Sequence, residues 1–208
     1  MNGIVFYIGF GAGLAAACGL RPFLPALLAG ALASAHVLGV SFSHDPFRFL
    51  HAGWWLLAVV VALAAAYAAQ LLLALTPVFD PGDRAQRSAP LAASLAGVSF
   101  GMGALLFAGT LAAHRDAWWP GLLGGLLAVG LAQRATWPVI ARARSRLADR
   151  GAREALSVYV DAAALLAAAL VALLPPLGYA LIALLAWFAW RGRARADEKH
   201  AGLRILRR

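Results

Sequence analysis

The stretch CGLRPFLPALLAG, residues 18–30, sets one arginine and two prolines inside an otherwise unbroken apolar sequence. An arginine there either lies buried in hydrocarbon, where an ionisable residue is by default functional, or marks a tight turn between two membrane helices. Pro22 disfavours helical backbone at Arg21, and Pro25 suits the first turn of a following helix. Gly19 is expected to supply a permissive backbone just before the turn. The stretch therefore predicts a helical hairpin with Arg21 at its tip.

The composition of the whole chain predicts an integral membrane protein. Of its 208 residues, 62% are hydrophobic and 13% are charged, and the mean hydropathy is +0.77. An ordinary soluble protein has about 25% charged residues. Cys18 is the only cysteine, which excludes an intrachain disulfide and a multi-cysteine metal site.

The predicted fold class is all-α, a polytopic transmembrane helix bundle with about seven membrane segments and Pro-interrupted hairpins at both ends. The first five apolar segments are long enough to cross about 30 Å of hydrocarbon, and the last two are short. The sequence LLPPLG, residues 173–178, separates these last two, so they form either a hairpin or one long broken helix. The apolar segments lie at 3–20, 23–40, 54–75, 91–113, 118–140, 158–174 and 177–190.

The basic residues favour the hairpin, because a single crossing would put the dense basic clusters at 142–153 and 191–208 on opposite faces. With seven crossings and an external N-terminus, fifteen of the 18 Lys and Arg residues fall on the cytoplasmic side, Arg48 and Arg115 fall outside, and Arg134 lies within the fifth segment near its inner end. We therefore expect a transmembrane domain at 1–190 and a basic cytoplasmic tail at 191–208. Both basic clusters are expected to anchor the chain against anionic lipid headgroups at the cytoplasmic surface and not to bind nucleic acid.

Four stretches resemble the bacterial membrane proteins grouped as domain-of-unknown-function family 4126, and together they cover most of the chain in order. The resemblance implies a polytopic protein of the bacterial inner membrane and supplies no activity. The stretches are GLAAACGLRPFLPALLAG (13–30), FRFLHAGWW (47–55), LTPVFD (75–80) and SVYVD (157–161).

The chain departs from the pattern of that family at acidic positions. Members often carry an acidic residue in the third helix and an Asp-Lys pair before the next turn, where this chain has Gln70, Ala74 and Leu75. An acidic pair near the start of the sixth helix is reduced to Val160 and Asp161. If these charges carry the chemistry of the family, this chain is an altered member.

The candidate transport or ion-pair residues are Arg21, Asp161, Gln70 and Arg134. Asp161 is the only acidic residue inside a predicted span, and both arginines are placed at the same membrane face. Asp161 is expected to form an ion pair with Arg21 that ties the first hairpin to the sixth helix; a transport role and a solvated interfacial position are the alternatives. Gln70, Tyr67 and Tyr159 are expected to bond across helices, with a solute-facing Gln70 as the alternative.

No catalytic, cofactor or metal residues are predicted. The spacing of His36, His44, His51 and His114 matches no metal signature, and the chain shows no nucleophile elbow or phosphate loop. We therefore expect no enzyme. The working expectation is a small transporter or permease for a small solute or a lipid-linked molecule, and the alternative is a non-transporting structural or assembly subunit. Membrane lipid, a small-molecule or lipid ligand and a homo-oligomer are the expected partners.

Overall fold

The computed structural model describes the backbone of residues 3–38, 40–42, 44–75, 81–114, 117–147 and 150–205. Most of the LTPVFD stretch, Arg115 and the last residues of the basic tail lie outside this description.

The described residues form seven α-helices and one short 3₁₀ helix, so the all-α prediction is confirmed over this part of the chain. The 3₁₀ helix, Phe47–His51, precedes α3. The α-helices are α1 (Ile4–Leu20), α2 (Phe23–Ser34), α3 (Gly53–Leu75), α4 (Pro81–Ala112), α5 (Trp119–Arg146), α6 (Arg150–Leu173) and α7 (Leu177–Ile205).

Helix α1 lies at the centre of the bundle and packs on α2, α4, α5, α6 and α7. Its residues Leu14–Cys18 are fully buried, and small side chains let the neighbouring helices approach closely. A Cβ at Gly13 would lie 2.7 Å from Val171 of α6, and one at Gly11 would meet Phe107 of α4. The glycines and alanines of α1 therefore serve helix packing.

Successive helices run in opposite directions between two ends of the bundle, which we call the Arg21 end and the His44 end after the turns found there. On α4, Phe107 lies beside Gly11 and Gly103 lies beside Ala15, so α4 is antiparallel to α1. Helix α5 starts beside the end of α4 and reaches Gly19, near the end of α1, through Val129. A chain that crosses one bilayer repeatedly must alternate its helix directions in this way.

The segment after α5 is a hairpin that straddles α1. Helix α6 rises from the Arg21 end to Val171, which packs on Gly13. After the turn at 174–176, Gly178 packs on the backbone of Gly9, and Leu185 lies in the same apolar cluster as Ala15 and Ala16. Helix α7 thus runs back beside α1, and the hairpin rather than the long broken helix is present.

The predicted second segment, 23–40, is wrong in its end, because α2 stops at Ser34. The helix closes with a Schellman motif, in which the amides of His36 and Val37 donate to the carbonyls of Ala33 and Leu32 at 3.3 and 3.0 Å. His36 takes the left-handed conformation that this motif needs, with φ 56°. Continuous hydropathy concealed this stop because the following residues are also apolar.

Among the described residues, three helices are long and apolar enough to span a membrane, namely Gly53–Leu72 of α3, Pro90–Ala112 of α4 and Ala155–Leu173 of α6. Helices α1 and α2 and the apolar part of α7, Leu177–Gly192, are shorter. Helix α7 also continues through the described part of the predicted tail to Ile205, so this tail is helical where its backbone is described.

Candidate functional site at the Arg21 turn

Arg21 sits between α1 and α2 in the conformation that its neighbours dictate. Its backbone is extended, with φ −149° and ψ 124°, as expected for a residue before proline, and Pro25 lies in the first turn of α2. Gly19 plays a different part from the one predicted, because it lies inside α1 and a Cβ there would be 2.6 Å from the Cβ of Ala132. The glycine allows α5 to approach, and the arginine turns the chain.

The guanidinium of Arg21 meets two side chains of α6. Its Nε faces Oδ1 of Asp161 as an ion pair whose angle falls outside hydrogen-bond geometry, and one terminal nitrogen donates to Ser157 Oγ at 2.5 Å. Ser157 and Asp161 are four residues apart and so share one face of α6. The predicted contact between Arg21 and Asp161 is therefore present.

Helix α3 joins the same group through Tyr67. Its phenolic oxygen donates to Oδ2 of Asp161, so both carboxylate oxygens are engaged, one by a cation and one by a hydroxyl donor. The prediction that Tyr67 bonds across helices is confirmed, but the same prediction is wrong for Gln70 and Tyr159, whose side chains form no such bond within the described part of the chain. We call Arg21, Tyr67, Ser157 and Asp161 the Arg21 cluster; it connects the α1–α2 turn, α3 and α6.

The other two candidate residues stand apart from the Arg21 cluster. Arg134 is exposed on α5, and Gln70 is half-buried on α3, one turn after Tyr67. Neither side chain forms a hydrogen bond or an ion pair within the described part of the chain. The neighbour of Arg134 bonds instead, since Gln133 Nε2 donates to the Ala96 carbonyl of α4 at 3.4 Å.

The sequence identified the charges of the cluster and Tyr67, and it gave no prediction for Ser157. The usable signal was its spacing, because a serine four residues before a buried aspartate lies on the same helix face. Arg144 was grouped with the anchoring arginines. Partial burial and, secondarily, the charge of Arg21 lower the pKa of Arg144, so the end of α5 also lies near this turn.

The two charges of the Arg21 cluster already form an ion pair with each other, so the cluster is not a vacant binding site. A buried charge is stable only when paired and hydrogen-bonded, and both conditions hold for Asp161. No group of three His, Cys, Asp or Glu side chains suited to a metal ion occurs among the described residues. The arrangement can hold three elements together, and it can release them if the pair opens.

A family model described as Domain of unknown function (DUF4126) matches residues 8–195 of the chain. No curated protein and no solved structure matches it.

Proposed function

We propose that the chain, which belongs to the DUF4126 family, is a multi-pass membrane protein that crosses the bilayer seven times with the Arg21 end in the cytoplasm. Three helices of membrane-spanning length and the alternating helix directions support the crossings. The density of arginine at the Arg21 end supports the orientation, because basic residues are retained on the cytoplasmic side. On this proposal the N-terminus is outside and the C-terminus inside.

The orientation is tested with single cysteines in a Cys18→Ala background, labelled by a membrane-impermeant maleimide in intact cells. We expect labelling of His44→Cys and Ala117→Cys, both exposed at the His44 end. We expect Ser145→Cys, exposed near the Arg21 end, to react only after the membrane is broken. The opposite pattern contradicts the orientation, and labelling of all three in intact cells contradicts the crossings.

For the functional class, we propose a non-transporting structural or assembly subunit, with no enzymatic activity. The observation that carries this is the solid packing around α1, where Leu14–Cys18 are fully buried. The pocket near His114, of about 20 Å³, has room for about one water, and neither it nor the pocket between α5 and α7 reaches Asp161 or Gln70. A polar path through the bundle would need space beside these side chains.

A small transporter is the second candidate, favoured by one observation. Asp161 is an ionisable group inside an apolar helix, a feature typical of solute and proton paths. Its partner Tyr67 belongs to α3, which packs mainly on α2 and the 3₁₀ helix and is otherwise little covered by the bundle. A movement of α3 would break the Tyr67 hydrogen bond and uncover the carboxylate.

The native thiol of Cys18 distinguishes the two candidates, because it is fully buried in α1. A permanently packed bundle keeps it unreactive toward N-ethylmaleimide in energised membrane vesicles. A transporter that opens to either face exposes this central helix periodically, which would give slow modification. The matched control is Ser145→Cys in the Cys18→Ala background, which should react rapidly.

Unreacted Cys18 after the control thiol is fully modified supports the structural subunit. Steady modification of Cys18 without denaturant, abolished when the vesicles are chilled, contradicts it and supports the transporter.

A further inference from the structure

A groove lies between the last turns of α5 and the middle of α7, apart from the Arg21 cluster. It has a volume of about 450 Å³. Its apolar lining comes mainly from Val139, Trp187 and Phe188, and its polar lining from Arg142, Arg146 and Arg191. The size suits one polar headgroup with the first carbons of its chains.

The three arginines of the groove carry like charges and have no acidic neighbour in its lining. None forms an ion pair with a described residue. Like charges gathered in one groove repel each other, and an anion placed among them removes that cost. A phosphate is suited to this, because guanidinium groups bind it through several hydrogen bonds at once.

Two of these side chains are held in place by the protein. Arg142 donates from Nε to the Pro138 carbonyl at 3.0 Å, and the guanidinium carbon of Arg191 lies 5.0 Å from the ring centre of Trp187. The first contact orients one guanidinium, and the second is a cation–π contact. Positioned donors lose less side-chain freedom on binding than unrestrained ones.

The position of the groove indicates where its anion comes from. The apolar part of α7 ends at Gly192, which also lines the groove. The arginines therefore lie where apolar helix gives way to basic sequence, at the level of lipid headgroups. A free phosphate would leave Trp187, Phe188 and Val139 in contact with water, whereas a lipid covers them with its glycerol and acyl carbons.

We infer that this groove binds the phosphate of an anionic phospholipid, with Arg142, Arg146 and Arg191 as ligands and the aromatic side chains against the lipid chains. The inference rests on the proposed membrane location, but not on the number of crossings or on the absence of transport. It makes the α5–α7 junction a defined lipid site rather than a general basic surface.

The test is native mass spectrometry of the full chain in neutral detergent, titrated with phosphatidylglycerol or phosphatidylcholine of identical acyl chains. We expect one phosphatidylglycerol bound at least about tenfold more tightly than phosphatidylcholine. In the double variant Arg142→Gln/Arg146→Gln, this affinity should fall about 30-fold, the factor that corresponds to two juxtamembrane charges of about 1 kcal/mol each. The matched control, Arg48→Gln/Arg134→Gln, removes two exposed arginines outside the groove and should retain wild-type affinity.

Circular dichroism of each variant before titration shows whether it is folded. Because the two substituted arginines, Arg142 and Arg146, are exposed, we expect native helix content. The inference is overturned by equal binding of the two lipids, or by equal losses in the two double variants. It is also overturned if inorganic phosphate displaces the lipid at equimolar concentration, which would assign the arginines to a soluble phosphate ligand. The thiol labelling of Cys18 and the topology labels give their results independently of this titration.

Discussion

Breaking the contact between Arg21 and Asp161 should lower the stability of the whole bundle. The change is made with Arg21→Gln, Asp161→Asn and the double variant. Each single change leaves one charged side chain without its oppositely charged partner. The side chains are 19% and 12% exposed, so the group left behind cannot be fully hydrated where it stands.

The expected loss follows from this burial. Removing one partner of a buried ion pair costs about 3–5 kcal/mol, or about 6–20 °C in melting temperature for a chain of this size. Asp161→Asn should lie toward the lower limit, because Arg21 keeps its 2.5 Å bond to Ser157 Oγ and its long side chain can reach water. Arg21→Gln leaves a carboxylate with the Tyr67 hydroxyl as its remaining partner and should cost more.

The assay is thermal unfolding in detergent, followed by circular dichroism and by the emission of a thiol-reactive dye at Cys18, which is buried in the native state. The double variant should lose less than the sum of the two single variants, with a coupling of about 0.5–3 kcal/mol. Arg134→Gln is the control, since it removes an exposed arginine without an ion pair in the described chain and should shift the melting temperature by about 1–2 °C at most.

Additive losses would contradict the reasoning, because groups in direct contact must be coupled. So would single losses no larger than that of Arg134→Gln. An Arg21→Gln variant of normal stability that had lost a cellular phenotype would assign Arg21 to a ligand instead.

Two further variants test the remaining contacts by the same melting assay. Tyr67→Phe removes a hydrogen bond to a charged group and should cost about 1.5–3 kcal/mol, whereas Tyr159→Phe, whose side chain is 74% exposed, should have almost no effect; equal effects would refute a role for the hydroxyl. Gly178→Ala places a Cβ against the Gly9 carbonyl and should cost at least about 1–3 kcal/mol, whereas Gly97→Ala, which meets open space, should be neutral or slightly stabilising; a neutral Gly178→Ala would refute the close crossing of α1 and α7.

The features that sequence predicted well are those set by local chemistry or by charge. Proline restricts its predecessor in any context, so the extended backbone of Arg21 was predictable. The pairing of Arg21 with Asp161 was predictable because each is a rare charge in apolar sequence at a common level of the bundle. The proline turn after Leu173 could be placed for the same local reason, and the basic clusters indicated the direction of the last helix.

The features that escaped sequence reasoning depend on which helix faces which. A glycine just before a turn suggests a role in backbone conformation, but the packing of Gly19 against Ala132 depends on the position of α5, which the sequence does not give. Arg134 was placed at the correct end but is exposed and bonds to no member of the cluster, because the level along a helix does not define the face. The groove between α5 and α7 combines residues far apart in sequence, and the sequence indicated its arginines only as general anchors to anionic lipid.

The early end of α2 has a consequence for the proposed topology. Twelve residues rise only about 18 Å, whereas the hydrocarbon layer is about 30 Å thick, so irregular backbone after Ser34 must complete this crossing. Such backbone is tolerated at membrane depth only where its polar groups are satisfied and protein covers it. The amides of Val37 and Val40 are satisfied by the carbonyls of Leu32 and Val37, but the turn is exposed from Ser34 to Leu38, and burial resumes only at Val40 and Phe42. The first hairpin therefore reaches the His44 end as a short helix, an exposed turn and a covered stretch at 40–42, and only that covered stretch is suited to the depth of the hydrocarbon.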